Sequence, residues 1–179
     1  MKTLKIWVLC LLLGTVWDVC LARDLKQNKD TTTKVASVDG PYVLYDETGR
    51  MRVIHVDEHG VLQDRVYDEV PEGFKLNVVS QKGGHRFQVK LHPVERPLWK
   101  SGQREKTLII SDPHGDLESF VSVLRNNGVI GKNYKWKFGK NQVIVIGDVF
   151  DRGKDVLPIF WLMYKLEQEA KDAGGVMTF

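Results

Sequence analysis

Cysteine is almost absent from this chain, and its two examples, Cys10 and Cys20, both fall within the first 22 residues. That segment reads as a signal peptide: Lys2 and Lys5 precede an apolar run over 6–17, and Cys20-Leu21-Ala22 puts small residues where cleavage after Ala22 needs them. The mature chain would then carry no thiol, which excludes disulfide staples, cysteine-ligated zinc and a cysteine nucleophile. Asn-x-Ser/Thr acceptor sites are also missing. Charge of one sign is scarce as well: 26 Lys and Arg against 23 Asp and Glu leave a net charge of +3, interspersed along the chain. Nothing in that pattern calls for nucleic acid. The apolar run falls short of the roughly 20 residues of a spanning helix, and Asp18 interrupts it, so an uncleaved anchor is the weaker reading. Lipid attachment at Cys20 is weaker still, because Trp17, Asp18 and Val19 are too large or too charged to precede a lipidated cysteine. The expectation is an exported protein, periplasmic or secreted, with no stable membrane span once the signal is removed.

Beyond a polar, aperiodic leader over 23–37, the chain has patterned structure to offer. From 38 to 100 it reads as a small antiparallel β module. Strands over 42–45, 50–56 and 61–67 are joined by Asp46-Glu47-Thr48-Gly49 and Asp57-Glu58-His59-Gly60, turns whose Asp can bond the backbone ahead and whose Gly can take positive φ. Strands over 75–79 and 86–91 flank 81–84, and Phe87, Val89 and Leu91 alternate with Arg86, Gln88 and Lys90. A module of this size is marginal alone and is expected to pack on the carboxyl-terminal part of the chain. Tyr42, Tyr45, Tyr67 and Phe87 read as packing before they read as a ligand platform.

At Thr107 the pattern changes. A strand over 107–111 with a continuous apolar run suits burial on both faces. A helix comes next over 117–126, with Leu117, Phe120, Val121 and Leu124 on one face and Asn127-Gly128 as its stop. Asp116 sits at its N-cap position, where capping is favoured over a metal role. A second strand covers 142–146, and a helix runs over 155–173 with Pro158 in its first turn. Residues 176–179 start a third strand. This β-α-β-α-β order defines an α/β sheet whose functional residues collect at the carboxyl ends of its strands.

Two motifs occupy those ends: Ser111-Asp112-Pro113-His114-Gly115-Asp116 and Gly147-Asp148-Val149-Phe150-Asp151-Arg152-Gly153. On adjacent parallel strands Asp112, His114 and Asp148 can meet at one crevice. Carboxylate oxygens and an imidazole suit Zn, Fe or Mn, carboxylates can bridge two such ions, and Arg152 offers a planar fork for phosphate. Asp-x-His or Gly-Asp alone is commonly only a turn; the weight lies in their joint appearance after consecutive strands. A phosphate-cradling loop is excluded at 147–154: five residues separate its glycines, and Asp148 and Asp151 would repel a bare phosphate.

The paired motifs resemble the calcineurin-like metallophosphoesterases, and Gly147-Asp148-x-x-Asp151-Arg152-Gly153 resembles their branch of Ser/Thr phosphoprotein phosphatases and diadenosine-polyphosphate hydrolases. The resemblance covers 107–179. It implies the front part of an α/β sandwich holding two divalent ions (Mn, Fe or Zn). Within it, Asp112 and His114 would bind the first ion, Asp148 would bridge both, and Arg152 would hold phosphate. Asp151 would orient a general-acid histidine. It further implies a phosphorylated substrate: a phosphoprotein, a nucleotide or a small phosphoester. The family's Gly-Asn-His-Glu motif and later histidines do not appear in this chain, so the expectation is a truncated phosphoesterase domain, inactive or impaired as it stands. The alternative is a non-catalytic exported remnant or a β binding module. The remaining histidines, His55, His59, His85 and His92, are expected to be solvated, and the segment 133–140, rich in Lys and aromatics, is expected to be a surface insertion.

Overall fold

A computed structural model describes residues 37–81, 84–96, 100 and 102–179. The signal-peptide reading of 1–22 lies outside the described residues, as does the leader except for Ser37. Residues 36–179 cluster as one compact unit. Among the described residues no helix is long and apolar enough to cross a membrane.

The first three strands, β1 (Asp39–Tyr45), β2 (Met51–Val56) and β3 (Leu62–Tyr67), form an antiparallel sheet in the order β1-β2-β3. Its turns work as their sequences suggest. The Asp46 carboxylate accepts the backbone N–H groups of Thr48 at 2.9 Å and Arg50 at 3.0 Å, and Gly49 closes the turn at φ 85°. Asp57 repeats this with His59 at 2.9 Å and Val61 at 3.0 Å. Two further strands, β4 (Lys75–Val79) and β5 (Arg86–Lys90), pair separately. Strand alternation sends Leu76, Val78, Phe87 and Val89 into the core while Lys75, Asn77, Gln88 and Lys90 face outward.

The parallel part comprises β6 (Thr107–Ser111), β7 (Gln142–Ile146) and β8 (Val176–Thr178), in the order β6-β7-β8, with α1 (Leu117–Asn126) and α2 (Val156–Asp172) as connections. The architecture is mixed α/β: small antiparallel sheets beside a partial phosphatase-type parallel sheet. Helix α1 buries the expected Leu117, Phe120, Val121 and Leu124, and Asp116 caps it by accepting the Ser119 N–H at 3.1 Å. Helix α2 buries Ile159, Leu162, Met163 and Leu166, each of them worth about 1.5–3 kcal/mol of transfer free energy. One continuous apolar cluster joins these residues to Leu76, Val78, Phe87 and Val89, so the β4–β5 hairpin stabilises itself by packing on the helical part, as a small module must.

Three expectations need correction. Strand β6 is covered on one face: Leu108 and Ile110 turn inward with Val143 and Val145, whereas Ile109 is 60% and Ile146 52% exposed. A short apolar run does not distinguish one-sided from two-sided burial. The segment 133–140 is more than a surface segment, because Tyr134 is buried and Trp136 and Phe138 pack against the core while Lys135, Lys137 and Lys140 stay exposed. Period-two alternation of these rings with Lys135 and Lys137 was the available signal. Finally, two of the four histidines are held by the fold. His85 is buried, its Nδ1 2.8 Å from the Tyr134 hydroxyl and its Nε2 2.8 Å from Glu118 Oε2. His92 is half-buried, its ring stacked on Tyr164 with centroids 3.8 Å apart and its Nε2 2.9 Å from the Tyr164 carbonyl oxygen. Burial requires such partners; position beside a turn does not reveal them.

Candidate metal centre

The loops after β6 and β7 lie side by side because the parallel pairing of the strands continues past their ends. Asp112 N–H donates to Ile146 O at 3.1 Å, His114 N–H to Asp148 O at 3.1 Å, and Gly153 N–H to His114 O at 2.7 Å. Asp155 N–H then donates to Gly115 O at 3.1 Å, tying the start of α2 to the first loop. So close an approach leaves no room for side chains at the crossing. A Cβ on Gly115 would lie 2.7 Å from the Gly153 carbonyl carbon.

The backbone is strained where the loops carry chemistry. Among the described residues four non-glycines have positive φ, and three of them are Asp112 (49°), His114 (44°) and Arg152 (65°). Such conformations cost of order 1–3 kcal/mol each and persist where the surrounding structure imposes them. Here the interloop hydrogen bonds do so.

His114, Asp148 and Asp151 each bring a donor atom within 4.8 Å of the others'. His114 Nδ1 is buried with no hydrogen-bond partner and stands 3.8 Å from Asp148 Oδ2 and 3.9 Å from Asp151 Oδ2. Those separations are too long for hydrogen bonds. They are close to the spacing of ligands on a shared ion, roughly 3–3.5 Å for bonds of about 2.0–2.2 Å. An unpartnered buried imidazole nitrogen facing two carboxylates therefore fits a divalent cation. The carboxylates are fixed by their neighbours: Asp148 Oδ1 accepts the Phe150 N–H at 2.9 Å, leaving Oδ2 for the cluster, and Asp151 Oδ2 lies 3.3 Å from Arg152 Nε. Asp148 and Asp151 side chains are 46% and 52% exposed, so the group is open to solvent and to a ligand.

Asp112 is placed differently from these three. Its Oδ1 accepts the Asp148 backbone N–H at 3.0 Å, and its carboxylate lies against Gly147 so closely that no Cβ would fit there. That N–H, with the Ser111 hydroxyl, holds the Asp112 carboxyl below the ordinary carboxylate range. An ionised Asp112 thus braces the turn that presents Asp148. Arg152 projects its guanidinium outward, 70% exposed, at the rim of the cluster. Sequence reasoning missed Asp155. It is buried, its side chain caps no helical N–H, and its Oδ1 instead accepts the Gln81 N–H at 2.7 Å, joining the β4–β5 loop to the start of α2. Its place at the first position of the expected helix gave no sign of a contact 74 residues earlier in the chain.

Sheet, loops and cluster together resemble part of a metallophosphoesterase-type phosphatase. The relatives are phosphatases by name. Over 71 residues the chain is 39% identical to Shewanella-like protein phosphatase 2 of Arabidopsis thaliana, a stretch covering 40% of this chain and 18% of that protein. Over 66 residues it is 44% identical to Shewanella-like protein phosphatase 1 of Plasmodium berghei, covering 36% of this chain and 18% of that one. Among solved structures, the cold-active protein-tyrosine phosphatase of a psychrophilic Shewanella species superposes with a TM-score of 0.59 at 26% identity, covering 79% of this chain and 41% of that chain. The chain thus spans about a fifth of the length of these curated relatives and about two fifths of the solved one. No family model matches the chain.

Proposed function

We propose that this chain carries part of the centre of a metal-dependent phosphoester hydrolase. The observation that supports this most is the unpartnered His114 Nδ1 facing Asp148 and Asp151. In this reading His114, Asp148 and Asp112 would hold divalent ions, with Asp112 also bracing Asp148 through its backbone N–H. A bound divalent ion would supply Lewis acidity toward a phosphoryl oxygen and toward water. The chain's own residues do the rest. Arg152 receives a phosphate oxygen in its guanidinium fork. Asp151 lies 3.3 Å from Arg152 Nε, where it steadies the guanidinium, and its carboxylate faces His114 Nδ1 across the 3.9 Å that an ion would occupy. Substrates would be phosphoproteins, nucleotides or small phosphoesters.

Among the described residues one such ligand cluster occurs. We propose accordingly that these 179 residues turn over slowly, and that a non-catalytic remnant or β binding module is the alternative. We also propose export directed by residues 1–22, to be checked by amino-terminal sequencing of secreted protein.

The test is hydrolysis of a chromogenic phosphomonoester with and without Mn²⁺, beside Asp148→Ala. Slow Mn²⁺-dependent turnover abolished by the substitution is expected. Turnover that ignores both metal and substitution would refute the site, and no turnover despite bound metal would leave the remnant reading standing.

A further inference from the structure

A groove of about 730 Å³ lies between the β4–β5 hairpin, the 133–135 turn and the carboxyl-terminal half of α2. It is distant from the metal loops: Lys165 and Gln168 on its wall are roughly 15–20 Å along the helix from Asp155 at 1.5 Å per residue. Its charge is unusual. Lys75 and Lys90 are direct partners in the antiparallel register and both face outward, so two ammonium groups are rooted on Cβ atoms roughly 4.5–5.5 Å apart. Like charges in that arrangement destabilise a hairpin. Lys135 adds a third cation from the adjoining turn. Among the described residues none of the three is paired with a carboxylate. Of the two acids on the same wall, Glu169 is neutralised by Lys165 and also takes the Trp136 N–H, while Asp172 takes only the neutral Gln168 amide, so the three unpaired lysines outnumber one uncompensated carboxylate.

We infer that this groove binds an anionic peptide segment, its phosphate or carboxylate groups meeting Lys75, Lys90 and Lys135. Two features favour a peptide over a nucleotide. The one aromatic ring lining the groove, His92, has a face taken by Tyr164, and no Phe, Tyr or Trp stands on the wall to receive a base. Gln88 Nε2 donates to Asn77 and Asn133 Oδ1 accepts the Lys135 N–H, which leaves the Gln88 carbonyl oxygen and the Asn133 amide nitrogen on the groove wall for a peptide backbone. The inference stands apart from the metal-centre reading, because it uses none of the same residues. A protein that keeps two opposed lysines unpaired carries a cost in the free state that an anionic ligand removes.

The experiment is fluorescence anisotropy of a labelled peptide alternating glutamate and phosphoserine, with a Gln/Ser analogue and inorganic tripolyphosphate as controls. The full chain is expected to bind the anionic peptide, to ignore the neutral one and to bind tripolyphosphate more weakly. Lys75→Gln with Lys90→Gln should weaken binding at least tenfold and flatten its salt dependence. Lys90→Glu, which sets a carboxylate opposite Lys75, should raise the melting temperature while lowering affinity. Asp148→Ala should leave binding intact. The inference is overturned if the double variant binds as well as the parent, if tripolyphosphate binds as tightly as the peptide, or if Asp148→Ala alone abolishes binding. Absence of any peptide binding to the parent chain overturns it equally.

Discussion

Gly115 and Gly153 meet backbone to backbone, so that a Cβ on Gly115 would stand 2.7 Å from the Gly153 carbonyl oxygen. This contact, with the hydrogen bonds that flank it, is what brings His114 beside Asp148 and Asp151. Gly153→Ala is therefore expected to separate the loops, costing about 2 kcal/mol or more of stability and abolishing divalent-cation binding. Gly139→Ala, where a Cβ meets nothing but the backbone has φ 60°, should cost about 1 kcal/mol and leave cation binding unchanged. Denaturation curves with and without Mn²⁺ check both.

Asp112 braces Asp148 through a backbone hydrogen bond that an amide oxygen can also accept. Asp112→Asn should retain the loop geometry and weaken cation binding only through lost charge, whereas Asp112→Ala should also disorder the Gly147–Asp148 turn. Calorimetric titration separates them by affinity, and amide exchange at Asp148 should quicken in the Ala variant alone.

Among the hairpin aspartates, Asp57 and Asp64 are two that supply a pH dependence. Asp57 is held below the ordinary carboxylate range first by the Val61 N–H, and Asp64 by the Arg52 guanidinium. A carboxyl with a depressed folded-state pKa adds stability that is fully present above its unfolded value, about 3.9, and is lost as pH falls through the folded value. Asp57→Asn should accordingly lower the urea midpoint at pH 6, and that deficit should shrink steadily as the pH is taken below about 4.

Core and sheet surface should respond in opposite ways. Leu162 is fully buried, so Leu162→Ala is expected to cost about 2–5 kcal/mol. Ile109, at 60% exposure, should tolerate Ile109→Thr within about 0.5 kcal/mol. A large loss at Ile109 would mean that this face of β6 is covered.

Much of this architecture was legible in the chain. Helix α1 comes from four apolar residues at helical spacing, and the Asp46 and Asp57 turns come from residues whose side chains bond the backbone ahead. The placement of His114 and Asp148 at adjacent strand ends needed only the inference that β6 and β7 are parallel neighbours. The features that escaped depend on contacts distant in sequence. His85 is buried because Tyr134 and Glu118, 49 and 33 residues away, complete its hydrogen bonds. Asp155 serves Gln81, 74 residues earlier. Asp151 joins the His114 group in a loop whose next residue, Arg152, takes a left-handed backbone conformation, a path that spacing alone does not disclose. Local pattern encodes which face of an element is apolar; it does not encode which polar group arrives from across the fold.

The most direct test of the centre is Mn²⁺ titration of the full chain followed by electron paramagnetic resonance, repeated with His114→Ala and with Asp148→Ala. The account predicts a saturable bound-Mn²⁺ signal in the parent chain that weakens at least tenfold in affinity in each variant while both remain folded. Equal Mn²⁺ affinity in the parent and in both variants would contradict it.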